Sequence, residues 1–518
     1  MRSTFAGINT MVRGLNTSQL QLDTVGHNIT NADTTGYSRQ TANTVATPSQ
    51  TIYGSSGTLQ VGTGVDTKSI TRARDIYADR QYWQENSNTE YNKAKQTSYD
   101  SIEAIFDEND SSGLSTVLSA FWKDCKNLST NASDYSTRVV LRDAGKELVT
   151  KIQDSTSQLQ DAITNNNDSI KLKVESVNQL TSAIYDLNKQ IVRAEATGGT
   201  ANDMRDSRDA LVDKLSALVN VSVTEKNNGS YSITSNGNTL VDEDGHTDLD
   251  TTTTANNDYG VQDITIIVKS TGTTYSATSG ELKGLQDSTT EAKSYIDNLT
   301  TMSSYLLTTF NTAHKAGYGI DSSETTGLNF FCGTSGSTTD YSSLAYNSTS
   351  GTWQMTVSGV TTDVNRTDIL NNYLNVNSDF DATGGTDLIA AKTAKKSTTS
   401  GTSTGQDTAS GDNATILGNL IGSTASTMLG NVTLTSYYSG VMGKLGVDAQ
   451  AVDRKVTTQD AIMTQVENSR ESTAGVNTNE ELTNMIKFQQ GYSASSRCLT
   501  TMDEMLDKLI NSTGTVGR

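Results

Sequence analysis

An amphipathic segment near the start of the chain ends in the sequence Gly26-His27-Asn28-Ile29-Thr30-Asn31-Ala32-Asp33-Thr34-Thr35-Gly36-Tyr37-Ser38-Arg39-Gln40. The apolar residues of this segment recur at steps of three and four, with Ser18 in the one polar position. They are Ile8, Met11, Leu15, Leu22, Val25 and Ile29. This spacing is the 3.5-residue repeat of a coiled coil. We therefore predict a helix from Ser3 to about Asn31, followed by a turn at Gly36.

A second segment with the same repeat lies at the other end of the chain, between Asn479 and Ile510. Ser495 fills its polar position, and its apolar residues are Met485, Phe488, Tyr492, Leu499, Met502, Leu506 and Leu509. We predict that the two segments pair with each other. The alternatives are a coiled-coil dimer and an ordinary core helix. Because Ser18 and Ser495 weaken each seam, we also predict that both ends are poorly ordered in the free chain and become ordered on assembly.

Composition favours long, thin elements over a deep globular core. The 518 residues are only 34% apolar and 6% aromatic, and the length alone suggests about three or four domains. Lys and Arg number 39 against 58 Asp and Glu, so the net charge is 39 − 58 = −19. This charge repels nucleic acid and anionic lipid, so neither is an expected partner. We expect no membrane span and no cleaved signal peptide, because the apolar runs are too short.

Nothing in the sequence predicts a catalytic, cofactor or metal site. The three cysteines, Cys125, Cys332 and Cys498, are far apart and odd in number, which argues against a disulfide framework or a zinc site. The three histidines are equally dispersed, and no nucleophile–histidine signature is present. We interpret His27 as a hydrogen-bonded turn residue and Cys498 as a small packing residue.

One acidic stretch leaves two interpretations open. Asp242-Glu243-Asp244-Gly245-His246-Thr247-Asp248 spaces its carboxylates so that they could wrap a calcium ion. The stretch lacks the complete ligand pattern and the final Glu of an EF-hand loop. A solvated acidic turn is therefore the competing interpretation.

The middle of the chain alternates between helical and strand periodicity. Helical spacing predicts helices over 69–106, 114–128, 135–196, 203–219, 281–315, 432–470 and 478–510. Strands are predicted at 221–224, 231–234, 263–268 and 351–357, the first two joined by a hairpin at Asn227-Asn228-Gly229. The stretch 41–65 is expected to be extended, and 384–413 is expected to be a loop or linker.

These periodicities predict a mainly α fold with β-rich insertions. Its parts are a coiled-coil-like terminal domain that pairs the N- and C-terminal helices, a long-helix bundle, and an outer β domain. The predicted ranges are 1–65 and 471–518 for the terminal domain, 66–220, 281–317 and 414–470 for the bundle, and 221–280 and 318–413 for the inserts. This order is nested, so we expect the β inserts to lie farthest from the two ends.

The two ends resemble the axial proteins of the bacterial flagellum, the family of rod, hook and hook-associated proteins. The stretch Asn28–Tyr37 is similar to that family's Asn-Ile-Ala-Asn-x-x-Thr-x-Gly-aromatic motif, with Thr30 and Asp33 as small departures. At the other end, 475–482 and 485–495 resemble the family's closing segment. Within the helical middle, 206–211 is similar to its D-x-R-D-x-L segment.

The resemblance implies a structural subunit, not an enzyme, that connects the hook to the filament. It implies an extracellular location in the flagellum, reached by export without signal cleavage. The implied partners are further copies of the chain, the hook protein, a second junction protein (hook-associated protein 3), and an export chaperone at the C-terminal helix. The implied assembly interface comprises both seams together with Asn28, Asn31, Gly36, Tyr37 and Arg39.

Two alternatives accompany this interpretation, and one pair of residues has two possible roles. Another axial protein, either hook or distal rod, is the nearest one, although Ser38-Arg39-Gln40 argues against it. A secreted β-domain enzyme or adhesin is a more distant one, and it would require a catalytic or binding cluster within the inserts. Tyr37 and Arg39 have two possible roles, as a recognition pair for another molecule or as local stabilisers of the turn.

Overall fold

The computed structural model describes residues 5–54, 57–108, 113–333, 336–395 and 409–511. Its first helix, α1, spans Ala6–Thr30, and four strands follow: β1 (Gln40–Ala46), β2 (Gln50–Gly54), β3 (Gly57–Val61) and β4 (Val65–Arg72). β1 pairs with β4 and β2 with β3, both antiparallel. The extended stretch predicted over 41–65 is confirmed.

The helix predicted to resume at Ser69 is wrong at its start, because β4 continues to Arg72. α2 spans Ile76–Phe106, and the carboxylate of Asp75 caps it by accepting a hydrogen bond from the Tyr77 amide at 2.9 Å. Such a cap satisfies an amide that has no partner within the helix. The charged residues just before Asp75 therefore belong to the strand and its connection.

Long helices form the middle of the molecule. They are α3 (Leu114–Thr130), α4 (Tyr135–Glu195), α5 (Asn202–Leu218), α6 (Glu281–Tyr305), α7 (Asn311–Ala316), α8 (Asp412–Gly422) and α9 (Leu434–Ala474), and a π-helical turn at Leu306–Phe310 joins α6 to α7. α4 alone has 61 residues and buries one continuous apolar stripe. The fully buried members of that stripe include Leu141, Leu148, Ile152, Leu159, Ile163, Ile170, Val177, Ile184 and Ile191.

The first β insert contains β5 (Ser222–Glu225), β6 (Tyr231–Ser235), β7 (Asn238–Val241), β8 (Leu249–Asn256) and β9 (Val261–Val268). β5, β6 and β7 form one antiparallel sheet, and β8 pairs with β9. The hairpin predicted between β5 and β6 is confirmed, with Gly229 at a φ of +83° that suits glycine.

This insert does not lie far from the chain ends, contrary to the nested layout predicted from the sequence. Its apolar residues share a hydrophobic cluster with α5 and the second half of α4. Arg208 of α5 donates to the Gly229 carbonyl at 2.7 Å and stacks on Tyr231. The hairpin is therefore bound to the helix that, on its other face, contacts the segment after α1.

The second insert is less irregular than its composition suggested. It contains β10 (Ala345–Asn347), β11 (Thr352–Val357) and β12 (Val360–Val364), which form one antiparallel sheet. Phe330, Phe331 and Phe380 are fully buried, and the rings of Phe330 and Phe331 pack edge to face at 4.9 Å. A few large aromatic side chains thus replace the many aliphatic ones that a core of this size would need.

The stretch 384–413, predicted as a loop or linker, is a buried loop in its first part, with a short 3-10 turn at Gly385–Leu388. Ile389 and Ala391 are buried, and the buried Arg138 of α4 donates to the carbonyls of Thr386 and Ile389 at 3.2 and 2.8 Å. Residues 396–408 lie outside the described residues. The predicted strand at 351–357 is confirmed as β11.

The last helix, α10, spans Thr478–Asn511, so the predicted closing helix is confirmed. α9 ends at Ala474, four residues later than predicted, and the break is Gly475-Val476-Asn477. In the last turns of α9 the Arg470 guanidinium binds Asp79 and Asp213 at 2.9 and 2.8 Å. The mainly α fold with β-rich insertions and paired terminal helices is confirmed, whereas the seven domain ranges stay a prediction.

Candidate assembly interface

α1 and α10 pack against each other in antiparallel orientation. Gly7 faces Met502 and Gly14 faces Ser495, so the residue numbers run in opposite directions along the two helices. Near the end of α1, Asn28 donates a hydrogen bond to Glu481 at 3.0 Å. The predicted pairing of the two ends is therefore confirmed within one chain.

The two polar positions of the seams are sites of close helix approach. Ser18 faces Gly491, and Ser495 faces Gly14. A Cβ atom added to either glycine would lie 3.3 Å from the serine Oγ, tighter than ordinary van der Waals contact. Each serine therefore lies opposite a glycine, and small residues on both sides bring the backbones close together.

Most of the predicted seam is only half-buried by this pairing. On α1, Val25 is buried, while Ile8, Met11, Leu15, Leu22 and Ile29 are half-buried. On α10, all seam residues except one are half-buried: Met485, Phe488, Tyr492, Leu499, Met502 and Leu506. Leu509 is exposed because the antiparallel register places it beyond the first residue of α1. A single partner helix thus leaves part of each seam exposed to solvent.

The sequence between α1 and β1 is organised around the buried amide of Asn28. Its Nδ2 donates to the Gln40 carbonyl at 2.9 Å, and its Oδ1 accepts from the Gln40 amide at 2.9 Å. The Tyr37 hydroxyl also donates to this Oδ1, at 2.8 Å. With the bond to Glu481, this side chain connects α1, β1 and α10. Buried amide networks of this kind specify one geometry because an unpaired member is costly.

Arg39 joins the same network from the other side. Its Nε donates to Glu481 at 2.8 Å and its Nη2 donates to Glu480 at 2.9 Å, so the guanidinium spans two carboxylates at the start of α10. Its backbone amide donates to the carbonyl of Ala474, the last residue of α9, at 2.8 Å. Burial alone would lower the pKa of Arg39, but the two glutamates reverse this and raise it.

Tyr37 is also engaged within the chain. Its hydroxyl lies 3.0 Å from Nδ1 of His27. Burial, reinforced by Asp203, Asp206 and Glu481, raises the pKa of its hydroxyl well above the ordinary value, so it is protonated and can donate. Of the two roles open to Tyr37 and Arg39, the contacts favour local stabilisation.

The two remaining predicted residues shape the turn. Asn31 ends α1, and its side-chain Nδ2 donates to the His27 carbonyl at 3.0 Å. Gly36 has a φ of +82°, and a Cβ there would lie 3.2 Å from the Cβ of Ala210 on α5. A larger residue at this position would therefore be strained and would also crowd α5.

Several exposed, outward apolar residues of this helix pair were not predicted. They are Val12 of α1 and Leu482, Ile486, Met505 and Ile510 of α10. Leu482 and Ile486 are four residues apart, so they lie on one face of α10 next to the seam. That spacing is present in the sequence, but it is a weaker pattern than the seven-residue repeat of the seam.

The described residues do not form the other kinds of site considered from the sequence. Among the described residues, no group of three or more His, Cys, Asp or Glu side chains could hold a metal ion. In the 242–248 stretch the Asp242 amide donates to the Gly245 carbonyl at 2.8 Å and closes a turn. Cys498 is exposed on α10, so the packing role predicted for it is wrong in the single chain.

No helix in the described part of the chain has both the length and the apolar character needed to cross a membrane.

Three family models match successive segments of this chain. The flagella basal body rod protein model matches residues 8–37, the flagellar hook-associated protein FlgK helical domain model matches 99–331, and the flagellar basal body rod FlgEFG protein C-terminal model matches 468–512. The two outer matches coincide with α1 and α10. These matches define the chain as an axial protein of the bacterial flagellum.

Full-length relatives narrow this class to one family. Flagellar hook-associated protein 1 of Bacillus subtilis (strain 168) is 29% identical over 551 aligned positions, covering 100% of both chains. The Escherichia coli (strain K12) protein of the same name is 26% identical, covering 97% of this chain and 99% of its own. Along its full length the chain is therefore similar to flagellar hook-associated protein 1.

One solved structure supports the fold. The flagellar hook junction protein FlgK from Burkholderia pseudomallei is similar with a TM-score of 0.59 at 17% identity, over 76% of this chain and 100% of the solved chain.

Proposed function

We propose that this chain is a structural junction subunit of the bacterial flagellum that connects the hook to the filament. The observation that carries the proposal is the terminal helix pair, which is specified by a buried hydrogen-bond network yet leaves part of its apolar surface uncovered. A helix pair with an uncovered apolar side gains stability when neighbouring molecules cover that side. The full-length similarity to flagellar hook-associated protein 1 supports the same role.

The assembly interface in this proposal has two parts. The predicted seam residues hold α1 against α10 and present their half-buried edges to neighbours. The outward residues Leu482, Ile486 and Met505 supply additional apolar contact. Asn28, Tyr37 and Arg39 contribute indirectly, because they fix the angle at which the pair leaves β1 and the end of α9.

Further copies of the chain, the hook protein and the second junction protein are the proposed neighbours. The proposed location is outside the cell at the hook–filament junction, reached by export without signal cleavage. An export chaperone is proposed to bind α10 beforehand, since an exposed apolar helix face is a surface that such a partner can cover. We propose no enzymatic activity.

Deletion of the gene tests the function. A deletion strain is expected to retain hooks, to lack filaments and to release unpolymerised filament protein into the medium. Complementation with the full chain is expected to restore filaments. A deletion strain with normal filaments and motility would contradict the proposed function.

The folding of the ends is tested on the purified chain. Amide exchange over 5–30 and 480–510 is expected to be faster than over α4, because each terminal helix is covered on one side only. Protection of these segments equal to that of α4 would contradict the prediction that they become ordered on assembly.

A further inference from the structure

The joint between the terminal helices and the rest of the molecule is made of polar side chains. We define the terminal unit as α1, β1–β4 and α10. Within the described ranges, no helix or strand of this unit packs lengthwise against an element outside it. Neither hydrophobic cluster contains a residue of α1 or α10. The apolar packing that holds the bundle together therefore does not orient the terminal unit.

Residues on one face of α5 contact the terminal unit and orient it. Asp203, Asp206, Asp209 and Asp213 follow each other at steps of three, three and four, so they lie along one side of the helix. Asp206 accepts two hydrogen bonds from Ser38, one from the amide at 3.0 Å and one from Oγ at 2.8 Å. The residue directly after Tyr37 is thus bound to the bundle through both its backbone and its side chain.

Arg72, the last residue of β4, makes the central contact of this joint. Its Nη1 lies 2.7 Å from Oδ1 of Asp206 and 2.7 Å from Oδ2 of Asp209. The two carboxylate side chains are only 7% and 1% exposed. Burial would raise the pKa of Asp209, but Arg72, Arg74 and Arg208 outweigh it and keep the pKa below its ordinary value. Gln40 adds a hydrogen bond to Asp203 at 2.7 Å.

Both chain connections between the unit and the bundle are fixed on this same side. Arg74, between β4 and α2, binds Asp79 at 2.8 Å. Arg470, near the end of α9, binds Asp79 at 2.9 Å and Asp213 at 2.8 Å. The entry to the bundle and the exit from it therefore converge on α2 and the acidic face of α5.

We propose that the acidic face of α5 is a latch that holds the terminal unit at a single angle to the bundle. Any other angle would separate the buried carboxylates from Arg72 and leave uncompensated charges, which is strongly unfavourable. Because no apolar contact replaces the ion pairs, loss of Asp206 or Arg72 turns the joint into a swivel while each unit stays folded. This role also accounts for the Asp206–Asp209 segment that was notable in the sequence.

Distance measurements on the purified full-length chain test the latch without requiring assembly. One spin label is attached to the exposed Cys498 of α10 and a second to Val447→Cys, a position on α9 that is 63% exposed. Pulsed electron paramagnetic resonance is expected to give one narrow distance distribution. In Asp206→Ala and Arg72→Met the distribution is expected to broaden or to split.

Asp168→Ala is the matched control, because it removes an exposed carboxylate that pairs with Lys171 on α4, away from the joint. It is expected to leave the distribution narrow. Distributions as narrow as the wild type in both latch variants would overturn the proposal. Loss of helical circular dichroism in both latch variants would also overturn it, since the contacts would then be part of the fold and not of a movable joint. Either result would leave the proposed junction function intact.

Discussion

α4 and the α1–α10 pair are both built on long apolar repeats, but they differ in how much of the repeat is covered. The stripe of α4 is fully buried between α3, α5, α6 and the inserts. The seams of α1 and α10 are half-buried, and additional apolar residues lie exposed beside them. The bundle is therefore complete within one molecule, whereas the terminal pair has room for neighbours.

The same periodicity therefore serves two purposes, stability of the monomer and association with other molecules. Where several elements surround a helix, its apolar stripe contributes to the stability of the monomer. Where a single partner helix is present, the remaining apolar surface contributes to association. Substitutions in the two regions should therefore separate an effect on folding from an effect on assembly.

The largest expected effect is a loss of stability in the helical bundle. Phe330→Ala empties the centre of a buried aromatic cluster and is expected to lower the free energy of unfolding by about 3–5 kcal/mol. Phe488→Ala, the same change in the half-buried seam, is expected to cost only about 1 kcal/mol. Urea denaturation of the purified proteins measures both values. Equal losses would show that the terminal seam is a closed core.

Asn28→Ala tests whether the polar network makes the terminal pair specific. The variant leaves the buried Gln40 amide without its acceptor. It also removes the hydrogen bond that Asn28 donates to Glu481. It is expected to destabilise the α1–α10 pairing by about 3 kcal/mol, near the upper end of the cost of an unpaired buried group. Amide exchange over α10 measures the loss. Asn16→Ala, at an exposed position on α1, is the control and should change little.

His314 allows a pH test of the bundle side. Its Nδ1 lies 2.8 Å from the Leu328 carbonyl, and its Nε2 accepts from the Ala390 amide at 3.0 Å, so only the neutral ring fits. Complete burial lowers its pKa to about 4. The unfolded chain then binds the extra proton between about pH 6.5 and 4, so stability is complete above this window and falls as the pH falls through it.

By pH 5 this group is expected to cost about 2 kcal/mol relative to neutral pH. His314→Gln is expected to abolish that part of the pH dependence, whatever its stability at pH 7. The measurement is urea denaturation at pH 7 and pH 5 for both proteins. The same dependence in both would exclude His314 as its source.

The smallest effect on stability, and the sharpest test of the comparison, is expected at Ile486. Ile486→Ser, at a position 61% exposed, should change the free energy of unfolding by less than about 0.5 kcal/mol but impair filament formation in the complemented deletion strain. Leu172→Ser on α4, at a position 63% exposed, is the matched control and should restore filaments fully. Equal filament numbers for both variants would remove the outward face from the proposed interface.

Several elements could be predicted from the sequence because the evidence for them is local. The repeats of α1 and α10, the hairpin at 227–229 and the long run of α4 each depend on residues near one another in the chain. The errors lie where the local structure depends on residues that are distant in the chain. Ser69 belongs to a strand because β1 lies beside it, and the first β insert lies next to α5 because Arg208 binds the Gly229 carbonyl.

At the interface, the two seams and the residues that end α1 could be predicted from the sequence, because spacing and turn chemistry depend on consecutive residues. The folded chain was needed to show that Ser18 and Ser495 face glycines, that Arg39 and Tyr37 are satisfied within the chain, and that Asp206 binds Ser38 and Arg72. Apart from those of Tyr37, whose partners are nine and ten positions away, these contacts join residues more than a hundred positions apart or depend on the register between helices. Helical periodicity specifies which face of a helix is apolar, but not what lies opposite it.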